Sequence, residues 1–414
     1  MRVLFIGQTG VNLNWSVKLL ADYCRIYQFG LKKSQLQSLG EYTISVDYVE
    51  DKMPFPSYLD LNNLRRQQEM WDDAMQETLE ELNNKKSKNS FLGMNLPHYR
   101  KDKFFPVPNM ELISQFKPDM IITLIDDIHT CYQRIKKRSK TRSIFSLKDI
   151  LVWRSVSIYV GDMLSHSLKV INKQKVENFV VAVKHPPSMF QKLIFQPQIP
   201  RIYCSFSITG IRENGAKKGI VNEFRNKMHQ RFCIFDPLTI DDRLSQNQYE
   251  KLKGSVRPSE TISIDGKERW QLGNKFSLMD DILSEKDHSS VFPIDIKVSE
   301  IQEIAEKKVS EQGEDASVID NQIRERDFRL IDQSDTMVAF RPNISGKISD
   351  GVTEESNYVS QVNPKEWYYI WPKKEDGEIE TGPFKPFVGI GIQYDDQDEL
   401  IDHLEKKLTK PVKK

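Results

Sequence analysis

Long hydrophobic runs are missing from this chain. No apolar stretch approaches the roughly 20 residues that a membrane-spanning helix needs, so no membrane partner is expected. Paired cysteines are missing too: Cys24, Cys131, Cys204 and Cys233 are widely spaced and none forms a CxxC unit. That argues against a disulfide framework and against a zinc site, and it leaves the four thiols as small apolar residues. Neither charge is in excess, since 60 basic residues face 59 acidic ones for a net charge of +1. No global field therefore recruits nucleic acid or an anionic surface, and any basic partner site has to be local. Met1-Arg2 leads straight into VLFIG without a secretory signal pattern, and the expected compartment is cytoplasmic.

What is present is a chain of 414 residues, long enough for two or three hydrophobic cores. Short apolar runs alternate with amphipathic stretches, which is the pattern of an α/β protein. In the first half, strands are expected at VLFIG (3–7), YTISVDYVE (42–50), PDMIITLIDD (118–127) and NFVVAVKHPP (178–187). Helices are expected over residues 11–27, 61–86 and 147–171. The proline-punctuated QPQIP, 196–200, marks a domain junction. A second series follows, with strands at RIYCSFSITG, CIFDPL, SDTMVAFRP and EWYYIWP. Its helices fall at KKGIVNEFRNKMHQRF, VIDNQIRERDFRLIDQ and DGVTEESNYVSQV, with a terminal helix in DELIDHLEKKLTKPVKK. PFVGIGIQY adds an edge strand or a wall, and polar residues 243–313, with a hairpin expected at TISIDGKERWQL, read as an insertion. The expected architecture is two doubly wound parallel-sheet domains, residues 1–195 and 199–414, with no internal repeat.

FIGQTGVNLNWS, residues 5–16, lies between the first strand and the first helix, where backbone N–H groups and the helix dipole favour an anion. Gly7, Thr9, Gly10 and Asn12 are the candidate nucleotide contacts. A full phosphate loop would continue with Lys and Ser/Thr, but here Asn12, Leu13 and Asn14 follow, so both the phosphate lysine and the metal hydroxyl are missing. The segment resembles the start of adenylate-kinase-like P-loop proteins, along residues 1–195. In that resemblance TLIDDIHTCYQRIKKR is the acidic strand with its following helix, and RIKKRSKTR (134–142) a basic lid over phosphates. Asp126 and Asp127 then have two readings, as holders of Mg²⁺ accompanying a nucleotide or as caps of the following helix. The missing lysine counts against phosphoryl transfer, because that residue supports charge on the transferring group.

Three stretches of the second half belong together by order and type. They are Tyr203 to Gly210 (YCSFSITG), Asp327 with Asp335 eight residues later, and SDGVTEE from Ser349 to Glu355. In a parallel sheet the ends of neighbouring strands lie side by side, so these segments can line one crevice. The pattern YxxxSIxG, Asp, SxGVxxE resembles the nucleoside 2-deoxyribosyltransferase superfamily, most closely its 2′-deoxynucleoside 5′-phosphate N-hydrolase branch. The resemblance implies a flavodoxin-like fold and a substrate such as a nucleotide or nucleoside monophosphate. It makes Glu355 the nucleophile on the anomeric carbon, with Asp327 assisting protonation of the leaving base. Ser349 and Gly351 would hold the 5′-phosphate, Ser207 and Gly210 would shape the other wall, and Asp335 would belong to the substrate site. Phe206, where relatives tend to have glycine, is expected to narrow it or to alter the base accepted.

Taken alone, the last stretch reads equally as an N-cap followed by an acidic first turn. Glu355 matches the family spacing, and Glu354 is expected to face solvent. A non-catalytic nucleotide-binding regulator and a kinase with an unusual phosphate loop stay open as alternatives, as does a homo-oligomer. His185, after a strand, reads as a capping residue or a site residue. Trp367, Tyr368, Tyr369 and Trp371 read as core or as a base-stacking strand. The basic run at 405–414 reads as a solvated face.

Overall fold

The computed structural model describes residues 1–53, 64–100, 103–104, 109–138, 145–207, 215–240, 242, 261–262, 296–297, 314–340, 349–370 and 391–408. These fall into two compact units, one built on described residues of 1–183 and the other on described residues from 184 onward, with Ile296 assigned to the first. Among the described residues no helix is long and apolar enough to cross a membrane. All four cysteines are free and buried.

The first unit runs β1 (Arg2–Gly7), α1 (Leu13–Tyr27), α2 (Leu36–Thr43), β2 (Ile44–Tyr48), α3 (Leu64–Asn84), β3 (Asn89–Asn95), α4 (Met110–Phe116), β4 (Met120–Ile125), α5 (Ile128–Arg138), α6 (Leu147–Asn172) and β5 (Glu177–Ala182). Its five strands are all parallel, in the order β2-β3-β1-β4-β5. A parallel sheet is covered on both faces, which is why its strands read as continuous apolar runs. On one face Leu4, Ile6, Leu92, Met94 and Ile121 pack with Trp71, Met75, Ile113, Phe116 and Leu164 from α3, α4 and α6. Strand β3 is the one that sequence pattern does not announce. NSFLGMN has polar ends and a central glycine, yet it lies between β1 and β2 with six of its seven residues buried. Gly93 is needed for contact rather than for turning: a Cβ there would come within 2.6 Å of both Leu13 and Tyr48.

The second unit runs α7 (Pro187–Phe195), β6 (Arg201–Phe206), α8 (Gly215–Arg231), β7 (Cys233–Phe235), α9 (Glu314–Asp332), β8 (Thr336–Phe340), α10 (Asp350–Asn357), β9 (Trp367–Ile370), β10 (Ile392–Tyr394) and α11 (Gln397–Leu408). Its strands are also all parallel, in the order β10-β9-β8-β6-β7. Numbered within the unit this is 5-4-3-1-2, so the chain reverses direction between β6 and β8. In open α/β sheets such a reversal opens a crevice beyond the carboxyl ends of the strands.

Alternation along β6 divides its side chains by chemistry. Ile202, Cys204 and Phe206 join Phe224 and Met228 of α8 and Leu400 and Leu404 of α11 in one core. Tyr203, Ser205 and Ser207 occupy the opposite face and are also buried. Phe206 therefore does not narrow the candidate site. It packs edge-on to Phe224, 6.4 Å between ring centroids, and Phe224 stacks on Phe340 at 4.1 Å.

The sequence pattern closes a strand at Pro187 and assigns no element to residues 188–195, which belong to helix α7. Proline at its first position lacks just the N–H that a first helical turn cannot use, so Pro187 suits the start of α7, after β5 has already ended at Ala182. This helix is held by the second unit. Lys192 donates from Nζ to the carbonyls of His229, Gln230 (2.9 Å) and Phe232 (3.2 Å), capping the orphan carbonyls at the end of α8. Lys192→Met keeps the aliphatic stem and removes all three bonds. It is expected to destabilise the second unit by about 2–3 kcal/mol, read as a lowered urea midpoint.

Candidate active site

Glu355 lies in the second turn of α10. The helix begins there because Ser349, extended at φ −70 and ψ 144, accepts the Val352 N–H on its hydroxyl at 3.3 Å. Val352 and Ser356 are the buried residues of this short helix, and the turn between them carries Glu355 toward β6. There Tyr203 Oη donates to Glu355 Oε1 at 2.8 Å and Ser205 Oγ donates to Oε2. Both donors are completely buried. One residue earlier, Glu354 pairs with Arg324 Nε of α9 at 2.9 Å. The adjacent glutamates thus have different fates: one faces the sheet and the other an exposed arginine.

Asp327 reaches the same place from α9. Its Oδ1 accepts from Arg326 Nε at 3.0 Å and from Nη2 at 2.9 Å, while Arg326 Nη1 donates to Asp242 Oδ2 at 3.2 Å. Asp242, Arg326 and Asp327 are all buried. One guanidinium is thus forked between two carboxylates, with Asp327 on one side and Asp242 on the other. Burial and the negative charge of Asp327 push the Glu355 carboxyl up to about 8, against the opposing pull of the Ser205 and Tyr203 hydroxyls and of Arg326. Burial, followed by the charges of Asp327 and Glu355, also raises the Tyr203 phenol well above its ordinary range. Tyr203 is therefore a neutral donor.

Of the residues expected in this site, the fold brings together Glu355 and Asp327, with Ser207 on the same face of the neighbouring strand's end. Ser349 is the N-cap of α10 and Gly351 is exposed in its first turn, where an added Cβ would meet nothing within 4 Å. Gly210 lies outside the described residues. Asp335 is not brought to the site. It binds Arg201 at the beginning of β6, taking the backbone N–H at 2.9 Å and Nη2 at 2.9 Å. That is a full strand, on the order of 20 Å, from the carboxyl edge; its role there is to pin the register of β8 on β6. Tyr203, Ser205, Arg326 and Asp242 carry no role in the motif reading. Three polar residues in alternation within a buried strand were the available signal for the first two. Nothing local signals Asp242, 84 residues from Arg326.

The first unit's turn packs against α5. Gly7 ends β1 and Gly10 has φ +99, with a Cβ there meeting the Cys131 carbonyl at 3.0 Å. Thr9 is half-buried, and Asn12, in the left-handed region at φ 60, precedes α1 without a side-chain cap. Arg134 of α5 donates from Nη1 to the Gly10 carbonyl at 2.9 Å and to Asp126 Oδ2 at 2.7 Å. Asp126 Oδ1 accepts the Asp127 N–H at 2.8 Å, and Asp127 Oδ2 accepts from Thr130 at 3.5 Å. The two carboxylates are thus committed to an arginine and to the start of α5, and do not form a fitting Mg²⁺ pair. Among the described residues no three His, Cys, Asp or Glu side chains cluster to hold a metal ion. Arg134, expected at the head of a basic lid, is a buried brace, and residues 139–142 of that run lie outside the described residues.

His185 is fully buried, and the hydrogen bonds define its tautomer. Thr239 spends its hydroxyl proton on the Asp236 carbonyl at 2.7 Å, so at 3.2 Å it accepts from His185 Nδ1–H, while Nε2 accepts the Asp236 N–H at 3.0 Å. A neutral imidazole here fixes the turn after β7. Trp367, Tyr368 and Tyr369 are buried in β9, with Trp367 Nε1 donating to Ser360 at 3.0 Å, and they serve as core rather than as a stacking surface. Trp371 lies outside the described residues.

Compared with known proteins, the chain matches no family model and no curated protein.

Proposed function

We propose that the second unit cleaves or transfers at the N-glycosidic bond of a nucleoside 5′-monophosphate or related nucleotide, with Glu355 as the nucleophile. One observation carries this reading: residues 203–205, 326–327 and 355, from three separate segments, converge so that two buried hydroxyls aim a single carboxylate beside a second one. Departure of a base from a ribose leaves an oxocarbenium-like carbon, which an adjacent carboxylate stabilises or captures. Tyr203 and Ser205 position Glu355 for this step, and the anionic Asp327 adds to the same field.

Further support comes from the strand order, which numbered from the other edge is 2-1-3-4-5, the order of flavodoxin-like doubly wound sheets, with the carboxylates beside its reversal. The exposed first turn of α10 after Ser349 suits a 5′-phosphate, because its N–H groups carry the positive end of the helix dipole. The motifs shared with the 2-deoxyribosyltransferase superfamily point the same way. For the first unit we propose a nucleotide-binding or sensing role, on the strength of its glycine turn between β1 and α1.

The test is incubation with nucleoside monophosphates, NAD and ATP, with free base and transferred phosphate quantified by chromatography. Base release supports the glycosidase. Bound nucleotide with no base release from any of them sinks it and favours the regulator, and phosphate transfer from ATP revives a kinase.

A further inference from the structure

Helix α6 carries an apolar face that is left exposed. Of the large hydrophobic residues exposed among the described residues, Val152 (38%), Tyr159 (69%), Val170 (78%) and Ile171 (50%) all lie on this one helix. Val156 and Met163 between them are half-buried. Helix α3 of the same unit shows the ordinary pattern, with Arg65, Arg66, Glu69, Asp73, Glu77 and Glu80 facing water and no exposed apolar residue among its described side chains. Scattered exposed hydrophobics need no explanation, but a contiguous row of them marks an interaction surface.

The row is spaced as a heptad seam. Positions 149, 152, 156, 159, 163, 166, 170 and 173 alternate steps of three and four, as a and d positions do. From Val152 to Val170 the seam reads Val, Val, Tyr, Met, His, Val, without a carboxylate, lysine or arginine. Its ends are opposite in charge, with Asp149 in the first turn of α6 and Lys173 exposed just past the last. His166 spends its Nδ1–H on the Asp162 carbonyl at 2.8 Å, which lays the ring along the helix.

The spacing is the same in both directions about position 161. A second copy laid antiparallel therefore sets Val152 against Val170, Val156 against His166 and Tyr159 against Met163, each pair occurring twice. It also sets Asp149 against Lys173 at both ends, where a parallel pairing would join like charges. The opposed helix dipoles favour the same direction. What complements this face is the face itself, reversed.

We propose that α6 docks against α6 of a second copy of this chain, antiparallel, about a two-fold axis beside position 161. The seam is about 36 Å long at about 1.5 Å per residue, and a stripe about 10 Å wide covers about 360 Å² per copy. That is about half of the ~800 Å² that each side of a standard interface buries, so the dimer is weak and forms with rising concentration.

Sedimentation velocity of the full chain from about 1 to about 100 μM should show the mass rising from one chain toward two. Tyr159→Glu, at an exposed position, should keep the helical circular dichroism and raise the dissociation constant at least about tenfold, because its charge would be enclosed against the partner's Met163. Val170→Lys carries the same expectation and serves where the first variant does not fold. Direction is read by oxidation, since the four native thiols are buried. A mixture of Val152→Cys and Val170→Cys proteins should form an inter-chain disulfide and neither alone should, like positions lying about 27 Å apart in the antiparallel pair. A monomer throughout the range, a dimer indifferent to both substitutions, or cross-linking of either cysteine protein alone overturns the inference. A monomer that binds phosphatidylcholine–phosphatidylserine vesicles, and loses them in Tyr159→Glu, overturns it too and gives the face to a lipid surface.

Discussion

Glu355→Gln is expected to lower base release by about a thousandfold or more while leaving the second unit folded. Glutamine has the same shape, and its amide can still take a hydrogen bond from Tyr203 on its carbonyl oxygen. Ser205 then turns its hydroxyl to accept from the amide N–H. What is lost is the negative oxygen that bonds to the anomeric carbon. Ser205→Ala and Glu354→Gln separate this from a merely electrostatic loss. Ser205→Ala loosens the carboxylate without removing it, so its effect should be smaller, about tenfold. Glu354 pairs with Arg324 away from the sheet, and its replacement should leave the rate within about twofold. A Glu355→Gln protein with undiminished base release would place the chemistry elsewhere.

The second large effect is on pH dependence. In the unfolded chain Glu355 titrates near 4.5, and in the folded chain it is pushed up to about 8, first by burial and then by Asp327. The folded state therefore holds this proton more tightly than the unfolded state does. Its contribution to stability is complete below about pH 4.5 and is lost as pH rises toward 8. Each unit of separation corresponds to about 1.4 kcal/mol, and relaxation around a half-buried residue reduces the sum, so a loss of about 2–4 kcal/mol is expected. Glu355→Gln has no proton to lose. Urea midpoints at pH 5 and pH 8.5 should converge for the two proteins at the lower value and separate at the higher, with the variant more stable there. A pH-independent gap would mean that the carboxyl titrates as an ordinary surface group.

Activity has the opposite sign, because the nucleophile works as the anion. Base release should climb with pH, with its midpoint near 8 in kcat/KM, before levelling off. Asp327→Asn removes the neighbouring charge, so the plateau should begin at lower pH even where its height falls. Such a shift distinguishes a charge partner from a residue that only packs.

Several of these features were legible without coordinates. Parallel strands covered on both faces are largely apolar, so β1, β4, β5, β8 and β9 stood out as runs of Val, Ile, Leu, Phe and Tyr, and β6 as an apolar run with one polar face. The helix starting after Ser349 and the acidic character of its opening were equally plain. Strand β3 was hidden because half of NSFLGMN is polar or glycine, and its burial depends on neighbours supplied by β1 and β2. Helix α7 was hidden because its opening prolines read as the close of the preceding strand.

The amino-acid sequence by itself determined the α/β class, the alternation of elements and the residue types available for chemistry, because periodicity and turn composition act over a few residues. Tertiary structure decided which of two adjacent glutamates faces the sheet and which meets Arg324. It removed Asp335 to the start of the strands, turned Phe206 into the core, and committed Asp126 to Arg134. It also joined Asp242 to Asp327 through Arg326. Each of those outcomes depends on a partner many positions away, and the charge state of a buried carboxyl is set by such partners rather than by its neighbours along the chain.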